Sequence, residues 1–179
     1  MKKYEWKNII NQNSLGRADC QVVTAINAYY ILTGNIIKRN SDIYEEFCTK
    51  SGARYGSAMN IDKVYKELGL KRTIKHYGIP WDVFNPNLKK SEYKEFLPLE
   101  ALVWYKKSGY HSVAVIDYEP RTCSLRIPGF RWETTSNGWI YWEDFQHYFQ
   151  DTTEKKLVWN TQQIELRKKK NGNKHKDKD

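Results

Sequence analysis

The chain has 179 residues and a formal charge of +9, with 40% apolar, 15% aromatic and 28% charged side chains. It is long enough to bury a core without staples, and the profile is that of a globular domain rich in Trp and Tyr. Three cysteines, Cys20, Cys48 and Cys123, are odd in number and have no metal spacing, which argues against a disulfide framework and for a reducing compartment.

No apolar run is long enough to span a bilayer, and MKKYEWKNII has no apolar signal-peptide centre. No membrane partner and a cytoplasmic location are therefore expected, with a virion or a leaderless export route also compatible. The first recognisable element is a helix over Cys20–Thr33. Val22, Val23, Ala25, Ile26, Tyr29, Tyr30 and Leu32 fall at mixed three- and four-residue spacings, which predicts burial on more than one side. Asp19 is the expected N-cap and Gly34 the stop. A second helix is expected from about Ser41 to Thr49, stopping near Gly52. A third, NIDKVYKELG, is expected from Asn60 to Gly69.

The pattern then changes. LKRTIKHY reads as a strand, and GIPWDVFNPNLKKSEYKEF as a two-proline loop with room for a short helix. PLEALVWYK, YHSVAVIDYE and CSLRIPGF, separated by KSG and PRT, read as an antiparallel meander. SNGWIYW follows an Asn-Gly turn, EDFQHYFQ suggests a short helix, and KKLVWN a last strand. Helices first and strands afterwards predict an α+β fold in segregated layers: an N-terminal helical layer packed on a C-terminal antiparallel β-sheet. One domain over residues 1–165 is expected, followed by a basic disordered tail over 166–179. From Arg167 to Asp179, seven Lys or Arg stand against two Asp, a balance of +5, which leaves only +4 for the rest. Such a tail implies weak, nonspecific contact with acidic surfaces or nucleic acid, and the body adds little support for a nucleic-acid partner.

Chemistry centres on NQNSLGRADCQVVTAINAYYILTG. A thiol at a helix N-terminus meets unpaired N–H groups and the helix dipole, which favour the thiolate, and an adjacent imidazole does more. Cys20 meets the first condition. Of the four histidines, His175 lies in the tail, His76 in a strand and His147 in a helix. His111 opens the apolar strand HSVAVIDY, where a rigid element can present it. Acyl chemistry also needs donors for the developing oxyanion. The Cys20 backbone N–H and the Gln12 side-chain amide are the candidates, with Asn11 and Asn13 as rivals. No phosphate-cradling glycine loop, Cys/His metal set or dinucleotide fingerprint is found, so no metal and no cofactor is expected. The aromatic cluster Trp132, Trp139, Tyr141, Trp142, Phe145, Tyr148 and Phe149 reads as core, with a substrate groove as the alternative.

The order of Gln12, Cys20 opening a long helix, further helices, and His111 opening a strand of a meander resembles the layout of papain-like cysteine peptidases. SGARYGSAMNIDKVYKELGLK before a strand is similar to the bacterial peptidase domains that cleave double-glycine leaders. The resemblance spans roughly Asn11 to Asn160. It implies a papain-like fold and a cysteine peptidase or amide hydrolase working through a Cys20–His111 thiolate–imidazolium pair and an acyl-enzyme, with Gln12 at the oxyanion. Peptide, isopeptide or amide substrates follow from it. Two departures stand out: Gln21 follows the cysteine where the family has Gly, and no Asn or Asp is evident to orient His111. A turn centred near Pro120 would set His111 opposite Gly129, among Ile127, Pro128 and Phe130. Asp117 would be about 20 Å along the strand, and Glu133 or Asn137 would have to reach in from the next loop. The orienter is thus missing, displaced or replaced by a backbone carbonyl. An acyltransferase using the same pair, and an inactive papain-like fold serving a phage or viral structural or host-interaction role with a protein partner, stay open. A bacterial or phage origin suits the Lys/Asn/Ile/Tyr-rich composition.

Overall fold

The computed structural model describes residues 3–11, 18–55, 59–78, 93–105, 109–129, 136–146 and 159–169. Helix α1 runs Cys20–Thr33, as its periodicity predicts, and stops at Gly34 in the left-handed region (φ 78°). It is buried on nearly every side, and Ala25 and Ala28 are fully enclosed. Helix α2 (Asp42–Ser51) begins at Ser41, whose Oγ accepts from the Tyr44 N–H at 3.3 Å, and ends at Gly52. Helix α3 is Ile61–Glu67, shorter than the expected Asn60–Gly69, because Leu68 and Gly69 turn the chain into the next strand. Val22, Ile26, Tyr44, Phe47, Val64 and Tyr65 interlock these three helices.

Two antiparallel sheets follow where one meander was expected. Strands β1 (Leu70–Gly78), β2 (Leu99–Tyr105), β3 (Gly109–Val115) and, from the end of the described chain, β7 (Trp159–Leu166) form the first, in the order β1-β7-β2-β3. Strands β4 (Asp117–Glu119), β5 (Ser124–Arg126) and β6 (Trp139–Tyr141) form the second, in sequence order, followed by helix α4 (Trp142–Gln146). The architecture is therefore mixed α+β, with four α-helices among the described residues. The chain changes sheets at Ile116, whose N–H bonds the Arg126 carbonyl at 2.9 Å. Val113 and Val115 share a core with Leu125 of the second sheet, Ile127 just after it, and Trp142 and Phe145 of α4, while Ala114 packs on Ile31 of α1. Period-2 alternation thus makes β3 the wall between two cores.

Three expectations need correction. The last strand reaches further than KKLVWN: β7 includes its Trp159 and Asn160 and runs on through the polar stretch WNTQQIEL, hydrogen-bonded to β1 on one side and β2 on the other, while residues 155–158 lie outside the described residues. Its position between two strands, and not an apolar pattern, makes it a strand. The hairpin near Pro120 pairs Asp117 with Arg126 and Glu119 with Ser124, three residues out of the expected register, with Cys123 at φ 51° in the turn. His111 consequently lies across from Val103 of β2, in the other sheet. Asp19 sits at the N-cap of α1 but its side chain makes no capping bond.

Beyond β7, Arg167 is tied to the framework: its N–H donates to the Gly69 carbonyl and its Nε to the Leu70 carbonyl, each at 2.8 Å. The disordered tail expected over 166–179 therefore does not begin at 166, since Leu166 closes β7 and Arg167 is bonded to the chain before β1; residues 170–179 lie outside the described residues. No helix among the described residues is long and apolar enough to cross a membrane.

The N-terminal segment straps across the second sheet. The Arg126 guanidinium lies 4.3 Å from the Trp6 ring, 5.4 Å from Trp139 and 5.6 Å from Tyr4. The Trp6 ring also covers Gly138, at φ 82°: a Cβ there would come within 2.5 Å of the indole. Gly138→Ala is therefore expected to cost about 1–3 kcal/mol through positive φ and overpacking together. Gly34→Ala meets no neighbour and is expected to cost only the backbone part, about 1 kcal/mol. Urea unfolding midpoints of the two variants check this, and equal losses would remove the Trp6 contact from the account. Of the predicted aromatic cluster, Trp142 and Phe145 are core, Trp139 stacks on Arg126, and Tyr141 is exposed. Trp132, Tyr148 and Phe149 lie outside the described residues.

Candidate active site

Cys20 is the first residue of α1, half-buried, so the helix N-terminus points its unsatisfied N–H groups past the thiol. The helix packs on β3, which stands at one end of its sheet. Thr24, one helical turn further on, brings its hydroxyl within 3.0 Å of the Ser112 hydroxyl. This contact seats the start of α1 against Ser112, and the Ser112 backbone N–H is placed to donate to the Cys20 sulfur. His111 is the preceding residue on β3. Cys20, 91 positions from His111 in sequence, is thereby placed at Ser112, the strand residue next to the histidine.

Burial, the largest influence, pushes the Cys20 thiol above its ordinary range. The negative charges of Glu100 and Asp19 add to the rise, while the Ser112 and Gln21 N–H groups oppose it. His111 responds in the opposite sense: burial lowers its imidazole, and the Gly129 carbonyl and the Asp19 charge resist. Both effects favour the uncharged forms. The packed surroundings thus favour a protonated thiol at Cys20 and an uncharged imidazole at His111.

The orienter of His111 is a backbone group. His111 Nε2 lies 3.2 Å from the Gly129 carbonyl oxygen. A carbonyl only accepts, so this bond requires the proton on Nε2 and makes Nδ1 the basic ring nitrogen. Gly129 adopts φ 95°, and its own N–H donates to the Asn11 carbonyl at 3.1 Å. The positive φ suits glycine and explains why no side chain fills this position. Asn137 does not orient the imidazole: it is exposed, and its carbonyl accepts from Arg126 Nε at 2.9 Å. Asp117 accepts from the Tyr4 hydroxyl at 2.6 Å. Glu133 lies outside the described residues.

The same holds for Gln12 and Asn13. Asn11 is described: its main chain reaches the Gly129 turn on which His111 rests, and its buried side-chain oxygen has no hydrogen-bond partner among the described residues. His76 lies on β1 across from Thr161, with its side chain outside the description, and His147 and His175 also lie outside it. Cys48 is buried in α2, and Cys123 sits in the β4–β5 turn.

Behind the thiol lies a buried polar chain that sequence reasoning missed. The Ser112 hydroxyl donates to Glu100 Oε2 at 2.9 Å, and Arg72 Nη1 donates to Glu100 Oε1 at 2.8 Å. Arg72 also stacks over the Tyr65 ring at 4.7 Å and reaches Asp62. Glu100 is 1% exposed. One signal was available: Glu100 is the only charge in the apolar stretch PLEALVWY, and an isolated charge on a buried strand needs a partner. Asp19 was read as a cap but is fully buried, and accepts from the Tyr44 hydroxyl. Among the described residues no group of three or more His, Cys, Asp or Glu is placed to hold a metal ion.

Compared with known proteins, the chain matches no family model and no curated sequence.

Proposed function

We propose that this chain is a papain-like cysteine hydrolase acting on peptide or amide carbonyls, with Cys20 as nucleophile and His111 as the proton carrier. The observation that carries the reading is the Gly129 carbonyl on His111 Nε2. It assigns the proton to that nitrogen and leaves Nδ1 basic, while Cys20 opens a helix that packs on β3 at Ser112, the residue next to His111. A neutral imidazole is the form that can take a thiol proton.

In this reading the thiol proton passes to Nδ1 as sulfur attacks the carbonyl carbon, so the thiolate–imidazolium pair is reached during attack. The carbonyl oxygen gains the negative charge. The Cys20 N–H and the Gln12 amide are its proposed donors. The imidazolium then gives its proton to the leaving amine, the C–N bond breaks, and a thioester remains on Cys20. Water, deprotonated by the same nitrogen, releases the acid. An amine in place of water would make the protein an acyltransferase.

Trapping of the acyl-enzyme tests the reading. With p-nitrophenyl acetate, the sulfur displaces p-nitrophenolate and keeps the acetyl group. Mass spectrometry is expected to find one acetyl on Cys20 and none on Cys48 or Cys123. Acetylation of Cys123 with Cys20 untouched would overturn the assignment.

The raised thiol supports a second reading, a catalytically silent papain-like fold that serves as a binding or structural protein. Burial and two nearby carboxylates hold sulfur in its unreactive form. Absence of acetyl on Cys20 across the pH range would favour it.

A further inference from the structure

We infer that Glu100, paired with Arg72, is a positioning residue for the Cys20 thiol: through the Ser112 hydroxyl it seats α1 against β3 and sets a buried carboxylate beneath the start of the helix. The inference deepens the hydrolase reading and rests on it for Cys20 as nucleophile, but the effect on the thiol stands by itself.

The geometry is a continuous chain. Thr24 on α1 and Ser112 on β3 meet at 3.0 Å, Ser112 reaches Glu100 on β2 at 2.9 Å, and Glu100 meets Arg72 on β1 at 2.8 Å. Thr24, Ser112 and Glu100 are 2%, 4% and 1% exposed, so each hydroxyl and carboxylate oxygen depends on these partners. Four elements are thereby held in one register beneath the nucleophile. A hydrophobic set of the same size would hold the layers together as well. It would not place a carboxylate behind the thiol.

The charged and titratable groups around the sulfur come from several directions. Asp19 lies beside it on α1, His111 on β3, and Glu100 behind it on β2. Arg72 sits beyond Glu100 and offsets its charge, with Asp62 and Tyr65 of α3 on the far side. Tyr44 of α2 hydrogen-bonds Asp19. Among the described residues the thiol therefore feels two carboxylates, and the Arg72 cation stands behind one of them. Removing the Glu100 charge favours the thiolate twice: the anion is gone, and Arg72 loses its offsetting partner. Removing Arg72 as well takes that second gain away.

The test is the pH dependence of Cys20 alkylation by iodoacetamide, followed site by site by mass spectrometry. It compares wild type, Glu100→Gln, and the double variant Glu100→Gln with Arg72→Gln. Neither variant leaves a buried unpaired carboxylate at position 100, and circular dichroism checks folding. In Glu100→Gln the alkylation midpoint is expected to fall by about half a pH unit or more. In the double variant it is expected to move back toward wild type. A purely structural role predicts that both variants change Cys20 accessibility, and hence the plateau rate, with an unmoved midpoint or a shift of the same sign and size. Either of those results overturns the inference, as does a rise in Glu100→Gln. The hydrolase reading is judged separately by the His111→Ala variant in the same assay. Its failure there leaves the opposed shifts at positions 100 and 72 to stand or fall alone.

Discussion

His111→Ala is expected to slow acylation of Cys20 by p-nitrophenyl acetate about 10²–10⁴-fold near neutral pH, the usual worth of a positioned general base. The pH profile should change shape as well as height. With imidazole lowered by burial and thiol raised by it, wild type has a window between the two ionisations in which the base is free and the thiol still carries its proton. Its rate is expected to rise as His111 loses its proton below 6.5, to hold through neutrality, and to climb again once the thiol ionises above 9.0. In His111→Ala only the alkaline limb should remain, because only thiolate can then attack. The sign is set by the direction of the shifts: a thiol pushed upward supplies little thiolate at neutral pH, so the neutral rate depends on the base. A profile that is the same in both proteins, measured by the p-nitrophenolate burst from pH 5 to 10, would sink the proton-carrier role. Cys20→Ala is the control that removes the burst under either outcome.

Arg72→Ala is expected to be strongly destabilising, costing about 3–5 kcal/mol in urea unfolding. The physical reason lies in what remains. Glu100, 1% exposed, would keep the Ser112 hydroxyl but lose its counter-charge, and a buried carboxylate without one is far costlier than an exposed one. The other end of the guanidinium supplies a contrast. Asp62 also pairs with Arg72, but its side chain is 84% exposed, so Asp62→Asn is expected to cost less than about 1 kcal/mol. Similar losses in the two variants would mean that Glu100 is not the partner that matters. The pair also ties stability to the site, since the groups that hold Arg72 in place reach Ser112 and the foot of α1.

How much of the molecule is legible in the sequence depends on where each determinant lies. Helix α1 is local: its spacing of apolar residues, and Gly34 where a left-handed residue must stand, set its limits without reference to the rest of the chain. The same is true of Ser41 and Gly52 around α2. Strand β7 is the opposite case. WNTQQIEL has a single buried apolar residue, Ile164, among those whose side chains are described. Pairing with both β1 and β2 makes it a strand, and those partners lie far away in the sequence.

The site divides along the same line. Residue types and order picked out Cys20 and His111, because a cysteine at a helix start and a histidine at a strand start are local signals. The possibility that a backbone carbonyl replaces the missing orienter could be stated from the sequence, since no carboxylate or amide stood near. That Gly129 supplies it was decided by the tertiary structure. The hairpin register is three residues from the one expected, and His111 and Gly129 still come together because the chain changes sheets at Ile116 and returns through the turn held by Asn11. The charge state of the pair was out of reach of sequence for a further reason. A helix N-terminus favours thiolate and burial opposes it, and only the packed structure, with Glu100 and Asp19 behind the sulfur, determines which of the two prevails.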